Sequence, residues 1–300
     1  MNNISAFNPR HILCPVDFSD LSILALKYAV TGAKTYGSRL TLLHSEMFEM
    51  PRYFSQTETD RLQEELFSEK KMATKKLADY VMKDLGKRTE GLDIQYRVTD
   101  ATAVEAILEA SENSEVDLIV IGTHGIGGFK RLLLGSTAES VIHNARVPIF
   151  TVRQKQHEFI DVTDINASPR IERILCASDL KEHDRKMLKS AVSLAEHFKA
   201  GLTVLYIDDD REEQDLSKAK TALCDWVSGT TKTQCEFEPV IRKGEAADQI
   251  ITHAKETKSD LIVIGARHKV FHDSTIIGKT TDLVVRHARA PVLVIPSMQE

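Results

Sequence analysis

The hydrophobic pattern alternates between short apolar runs and longer segments with helical spacing. Ile12–Val16, Leu40–His44 and Leu118–Ile121 are short, apolar and continuous, which is typical of strands buried on both faces of a parallel sheet. Between such runs, apolar residues recur every three or four positions, as on the buried stripe of a helix. This alternation predicts an α/β fold, a doubly wound parallel sheet with right-handed crossovers.

Further elements of the first part of the chain follow from the same pattern. Strands are predicted near Asp93–Val98 and at Val147–Val152. Helices are predicted from Asp17 to a stop at Gly37, from about Thr59 to a stop at Gly86, and from Thr102.

The pattern occurs twice. Ile12–Phe18 recurs as Ile174–Leu180 with an offset of 162, and Asp117–Gly122 recurs as Asp260–Gly265 with an offset of 143. We therefore predict two tandem domains of one fold, residues 9–153 and 171–297, joined by a polar linker around Gln154–Arg170.

The first copy is longer than the second by 19 residues, the difference between the two offsets. The insertion runs from Glu46 to about Thr59, and Met47–Phe54 within it is apolar and aromatic. A lid over a ligand and a helical cover packed on a partner are equally consistent with it.

A glycine loop carries the candidate chemistry. Gly122-x2-Gly125-x9-Gly135-Ser136 joins a predicted strand to a predicted helix, and Glu139 follows at the spacing of a capping box. Backbone N–H groups and the helix dipole at such a junction favour a phosphate chain. The spacing is neither that of G-x-G-x-x-G nor that of a P-loop. An alternative is that these glycines serve only turns and close helix-to-sheet packing.

Composition and charge argue against several classes of function. The formal charge of −5, without a basic stripe, argues against nucleic-acid binding, and no apolar run approaches a membrane span. Met1–Ser5 lacks the features of a signal peptide, so a cytoplasmic location is expected. The four cysteines lack C-x-x-C spacing, which predicts free thiols and no metal site.

The loop and the strand before it resemble the nucleotide site of the universal stress protein family, in its ATP-binding branch, and the likeness to tandem members covers nearly the whole chain. It implies five-stranded parallel sheets, as in adenine nucleotide alpha hydrolase-like folds, and ATP as cofactor, with or without Mg²⁺. In the implied site, the adenosine is lined by Pro15, Val16 and Asp17, and the adenine is bordered by Ser45. The ribose and phosphates come close to Gly122 and Gly125, and the phosphates accept hydrogen bonds from Gly135, Ser136 and Thr137.

Several roles stay open. Asp17 also suits a helix start, although the otherwise complete motif favours ligand contact. Lys130 and Arg131 suit either a place near the phosphates or solvated surface positions. His124 has no carboxylate near it in sequence, so no catalytic residue is assigned. Thr99–Thr102 lacks the glycine that the family often has and that the second copy has at Gly244.

The second copy departs from the motif. His268 stands where Gly125 does, Lys279 where Ser136 does, and Ala177-Ser178 replace Pro15-Val16. We expect one competent nucleotide site, in the first copy, and a degenerate or altered site in the second. A basic cluster, Arg267, His268, Lys269 and His272, suits either another anion or a solvated loop.

The resemblance also implies that the two copies pair through antiparallel last strands, Val147–Val152 and Val292–Ile295, with a homodimer and protein partners left open. Three functions compete. An ATP-binding stress-response regulator is favoured, a nucleotide-independent interaction scaffold is second, and a slow ATPase or adenylate-transferring enzyme is last. Hydrolysis needs a positioned water and a metal-holding carboxylate, which the sequence does not assign.

Overall fold

The computed structural model describes most of the chain. The described residues are 7–46, 56–113, 116–123, 134–153, 159–160, 169–208, 216–231, 236–267, 269–271, 274–276 and 278–297, with backbone alone for 56–64, 267, 269–271 and 274–276. The Met47–Phe54 segment, Gly125, His124, Lys130, Arg131, His268 and His272 lie outside them.

Strands and helices alternate along the described chain. The strands are β1 (His11–Pro15), β2 (Arg39–Ser45), β3 (Ile94–Thr99), β4 (Leu118–Gly122), β5 (Ile149–Val152), β6 (Arg173–Ser178), β7 (Gly201–Asp208), β8 (Phe237–Lys243), β9 (Leu261–Arg267), β10 (Lys269–Phe271), β11 (Ser274–Ile276) and β12 (Val292–Ser297). The helices are α1 (Asp20–Tyr36), α2 (Gln56–Leu85), α3 (Ala103–Glu112), α4 (Ser136–Asn144), α5 (Arg185–Phe198), α6 (Leu216–Thr230), α7 (Ala246–Thr257) and α8 (Lys279–His287). Short 3₁₀ turns follow α2 at Gly86–Thr89 and precede α5 at Glu182–Asp184.

Ten of these strands form one sheet in the order β3-β2-β1-β4-β5-β12-β9-β6-β7-β8. The first half of the molecule, β1–β5 with α1–α4, contributes five parallel strands, and the second half, β6–β12 with α5–α8, contributes the other five. The remaining pair, β10 and β11, forms a small antiparallel hairpin. The predicted doubly wound fold is therefore confirmed.

The two halves join at the centre of the sheet. β5 and β12 pair antiparallel, with Ile149 opposite Val294 and Thr151 opposite Val292. Thr151 also donates its hydroxyl hydrogen to the carbonyl of Val292, at 3.2 Å. This seam confirms the predicted pairing of the last strands, which covers the apolar edge that each half would otherwise expose.

Alternate residues of each strand face opposite sides, so the sheet has a core on each face. On one face, residues such as Ile12 and Ile174 pack with α1, α2, α5 and α6. On the other, residues such as Leu13 and Leu175 pack with α3, α4, α7 and α8. Both cores run across the seam.

In the part of the chain that the structure describes, every helix is too short or too polar to cross a membrane.

Several local predictions are confirmed and others need correction. Gly37 ends α1 with a φ of +66°, as its sequence position predicts. Gly86 instead leads from α2 into a 3₁₀ turn. Cys14 and Cys176 are buried free thiols within strands, and burial raises both of their pKa values.

His253 on α7 gives the fold a pH dependence. It is 6% exposed, and neither ring nitrogen has a hydrogen-bond partner among the described residues. Burial lowers its pKa, Arg242 acts in the same direction, and Glu238 and Glu256 oppose the shift. The unfolded chain therefore binds this proton more readily than the folded one, and stability falls as the pH drops below about 6.5.

His253→Leu should remove this pH dependence. Urea unfolding at about pH 7.5 and about pH 5.5 should show that the wild type loses more stability on acidification than the variant does. An equal loss in both proteins would contradict the assignment.

Candidate functional site

The strand order places a crevice in the first half between the ends of β1 and β4. β1 lies between β2 and β4 and is parallel to both. The strand order therefore reverses at β1, with β2 and β3 on one side of it and β4 and β5 on the other. Ligands of doubly wound sheets bind at such a switch point, beyond the carboxyl ends of the strands. Pro15 ends β1 and Gly122 ends β4, so both predicted site segments start at this edge.

The segment after β1 is held by local hydrogen bonds. Oδ1 of Asp17 accepts from the backbone N–H of Ser19 at 3.0 Å and from its hydroxyl at 2.6 Å, and Ser19 is the N-cap of α1. This contact fits a helix-start role for Asp17, and the ligand contact expected of its carboxylate stays a prediction. Val16 is 3% exposed, and its N–H donates to the carbonyl of Leu43 at 2.8 Å.

Gly122 lies close to α1. A Cβ atom at this position would lie 2.9 Å from Cγ of Leu21 and 3.3 Å from its carbonyl oxygen. Close helix-to-sheet packing therefore requires glycine here whether or not a ligand binds. The packing contact by itself accounts for a glycine at position 122, and the ligand contact expected there stays a prediction.

The start of α4 differs from its predicted form. Gly135 is the N-cap and makes no side-chain cap hydrogen bond, and its N–H donates to the carbonyl of Thr123 at 2.7 Å. Ser136 and Thr137 are then the first two helical residues, so Ser136 and Glu139 do not have the positions of a capping box. A capping box does form at α3, between Thr102 and Glu105.

Ser45 lies at the carboxyl end of β2. Its hydroxyl donates to the carbonyl of Ala101 at 2.6 Å, which ties this strand end to the turn before α3. The neighbouring residue Glu46 donates its N–H to the carbonyl of Thr99 at 2.9 Å. The backbone of Ser45 is thereby fixed at the same edge of the sheet as Pro15 and Gly122.

The corresponding crevice of the second half has an acidic wall. Asp184 is the last residue of the 3₁₀ turn before α5 and is 6% exposed. Its Oδ2 accepts hydrogen bonds from the hydroxyl of Ser178 and the N–H of Asp179, both at 2.9 Å. Burial raises the pKa of Asp184, and the Ser178 hydrogen bond opposes the shift. A Cβ at Gly265 would lie 2.7 Å from Oδ1 of Asp184. Sequence reasoning missed Asp184, although its position just before an amphipathic helix was an available signal.

The two halves are also bonded through the helix that follows the glycine loop. Arg286 on α8 lies 2.9 Å from Glu139 on α4 and forms a second ion pair with Asp282 at 2.8 Å. The Arg286 side chain is 18% exposed, and its hydrogen bond with Asp282 raises its pKa. Glu139 and Asp282 occupy equivalent positions, offset by 143, so the contact lies near the pseudo-twofold axis that relates the halves.

Known proteins resemble the chain over both halves. Its sequence matches the Universal stress protein family over residues 8–153 and 227–296. Universal stress protein MJ0531 of Methanocaldococcus jannaschii is 31% identical over 153 residues, which are 50% of this chain and 85% of that protein. A universal stress protein of Mycolicibacterium smegmatis is 24% identical over 292 residues, which are 95% of this chain and 96% of that protein. The crystal structure of a universal stress protein from Archaeoglobus fulgidus covers 97% of this chain and aligns over 100% of its own, with a TM-score of 0.67 and 21% identity.

Proposed function

The chain belongs to the universal stress protein family, and we propose that its first half binds ATP as a regulatory ligand during a stress response in the cytoplasm. In this proposal residues 9–153 form the nucleotide-binding domain. Residues 171–297 form a second domain whose crevice has lost nucleotide binding.

The start of α4 is the observation that carries the proposal. A helix leaves the N–H groups of its first turn without intrahelical partners, and Gly135 supplies no side chain to cap them. These groups, together with the hydroxyls of Ser136 and Thr137, suit the phosphates of a nucleotide. Pro15, Val16 and Asp17 would line its adenosine, Ser45 would border the adenine, and Gly122 and Gly125 would lie beside the ribose and phosphates.

The regulatory part of the proposal rests on the Arg286–Glu139 ion pair. Glu139 lies one helical turn beyond the candidate phosphate contacts and is bonded to the second half. A change in the position of α4 on nucleotide binding would therefore act directly on α8. We assign no catalytic residue and no water-activating group.

A nucleotide-independent scaffold is the second candidate, because the contact of Gly122 with Leu21 explains that glycine without a ligand. Thermal unfolding with and without ATP distinguishes the ATP-binding regulator from the nucleotide-independent scaffold. At an ATP concentration 100 times Kd, binding to the folded chain alone adds about 2.7 kcal/mol of stability and raises Tm. Phosphate release assayed in parallel should stay at background. An unchanged Tm at millimolar ATP favours the scaffold, and sustained phosphate release would favour an ATPase.

A further inference from the structure

The crevice of the second half contains two carboxylates and an imidazole that converge. Asp179 follows β6, and His183 and Asp184 lie in the 3₁₀ turn before α5. Nε2 of His183 lies 3.5 Å from Oδ1 of Asp179 and 3.6 Å from Oδ1 of Asp184. One potential ligand atom of each residue lies within 4.8 Å of the other two.

These distances fit ligands around a cation better than they fit direct hydrogen bonds. A charge-assisted N–H···O bond spans about 2.7–2.9 Å, which is shorter than either His183 distance. Two ligands at about 2.0–2.1 Å from a tetrahedral metal ion are about 3.4 Å apart, close to both distances.

The orientation of Asp184 provides a second, independent observation. Its side chain is only 8% exposed, and the Ser178 hydroxyl and the Asp179 N–H both donate to Oδ2. Oδ1 faces His183 and receives no hydrogen bond from the residues that the structure describes. The charge of a carboxylate on a side chain this buried is costly unless donors or a cation compensate it.

Gly265 makes room for this oxygen. A Cβ there would lie 2.7 Å from Oδ1 of Asp184, whereas at the equivalent Gly122 it would meet the apolar side chain of Leu21. The two equivalent crevices thus differ in chemistry, because the second has a buried carboxylate where the first has leucine. An acidic wall disfavours phosphate and favours a cation.

We propose that Asp179, His183 and Asp184 bind one divalent cation, with Zn²⁺ as the best match. Carboxylate oxygen and imidazole nitrogen are both established zinc donors, and three protein ligands leave a coordination position for water or another ligand. Among the described residues, Lys181 is a cation beside this cluster. Its Nζ lies 3.6 Å from Oδ2 of Asp179, whereas Oδ1 of Asp179 faces His183. The proposal is independent of ATP binding in the first half.

A second set of potential ligands supplies the control. Glu139, His143 and Asp282 also cluster across the two halves, but the guanidinium of Arg286 lies 2.9 Å from Glu139 and 2.8 Å from Asp282. A cationic side chain already neutralises those carboxylates, so no metal ion is expected there.

The test is equilibrium dialysis of untagged, chelator-treated and nucleotide-free protein against micromolar Zn²⁺, with bound metal measured by mass spectrometry. We expect one Zn²⁺ per chain, an affinity at least tenfold lower in His183→Gln and in Asp184→Asn, and no change in His143→Gln. His183 is 27% exposed, so His183→Gln should fold normally even if Asp184→Asn does not. Absence of Zn²⁺ binding by the wild type, or equal Zn²⁺ binding by His183→Gln, would overturn the proposal.

Discussion

Replacing Ser136 with aspartate is expected to lower the affinity for ATP about 100-fold or more, equivalent to about 2.7 kcal/mol, while the protein stays folded. Ser136 is the first residue of α4, and its N-cap Gly135 provides no side-chain acceptor. An acidic residue in the first turn interacts favourably with the helix dipole, so the substitution should not destabilise α4. The same carboxylate would occupy the phosphate position and repel the nucleotide.

The second half offers a matched control. Lys279 is equivalent to Ser136 and is the first residue of α8, so Lys279→Gln lowers the net charge by the same single unit. Its side chain is 80% exposed and pairs with Glu245 at 3.1 Å, an exposed ion pair that contributes about 1 kcal/mol or less. Isothermal titration should show unchanged ATP affinity in this variant. Equal loss in both variants would indicate a general charge effect and no phosphate contact at Ser136.

Leu293→Ala is expected to lower the free energy of unfolding by about 2–5 kcal/mol. Leu293 lies on β12, is 1% exposed, and is in register with Phe150 of the first half and Val263 of the second. It also lines a cavity of about 70 Å³ at the seam. The substitution would enlarge this cavity and remove contacts that join the two halves.

The control for this prediction is the same substitution at an exposed site. Leu216 at the start of α6 is 53% exposed, so Leu216→Ala should change stability by about 0.5 kcal/mol or less. Urea unfolding followed by circular dichroism compares the two variants. Similar midpoints would contradict the assignment of the seam as a buried core.

Most of the fold could be predicted because parallel strands buried on both faces leave continuous apolar runs, such as Leu118–Ile121. The internal repeat then predicted the same fold for both halves. The antiparallel seam followed from the family resemblance and from the apolar edge that Val292–Ile295 would expose. These features depend on residues close together in sequence or on a repeated pattern.

The details that could not be predicted depend on contacts between distant residues. Glu139 was expected to cap its own helix, but it bonds Arg286, which lies 147 positions away. The requirement for glycine at position 122 arises from Leu21 on a different helix. Asp184 enters the second crevice because a 3₁₀ turn precedes α5, and short 3₁₀ turns carry little sequence signal.

The nucleotide content of gently purified protein, released by denaturation, tests the central claim most directly. The account predicts about one adenine nucleotide per chain in the wild type and in Lys279→Gln, and none in Ser136→Asp. Absence of nucleotide from the wild type, with no binding of added ATP, would contradict the account. Two nucleotides per chain would also contradict it, because the second crevice would then be competent.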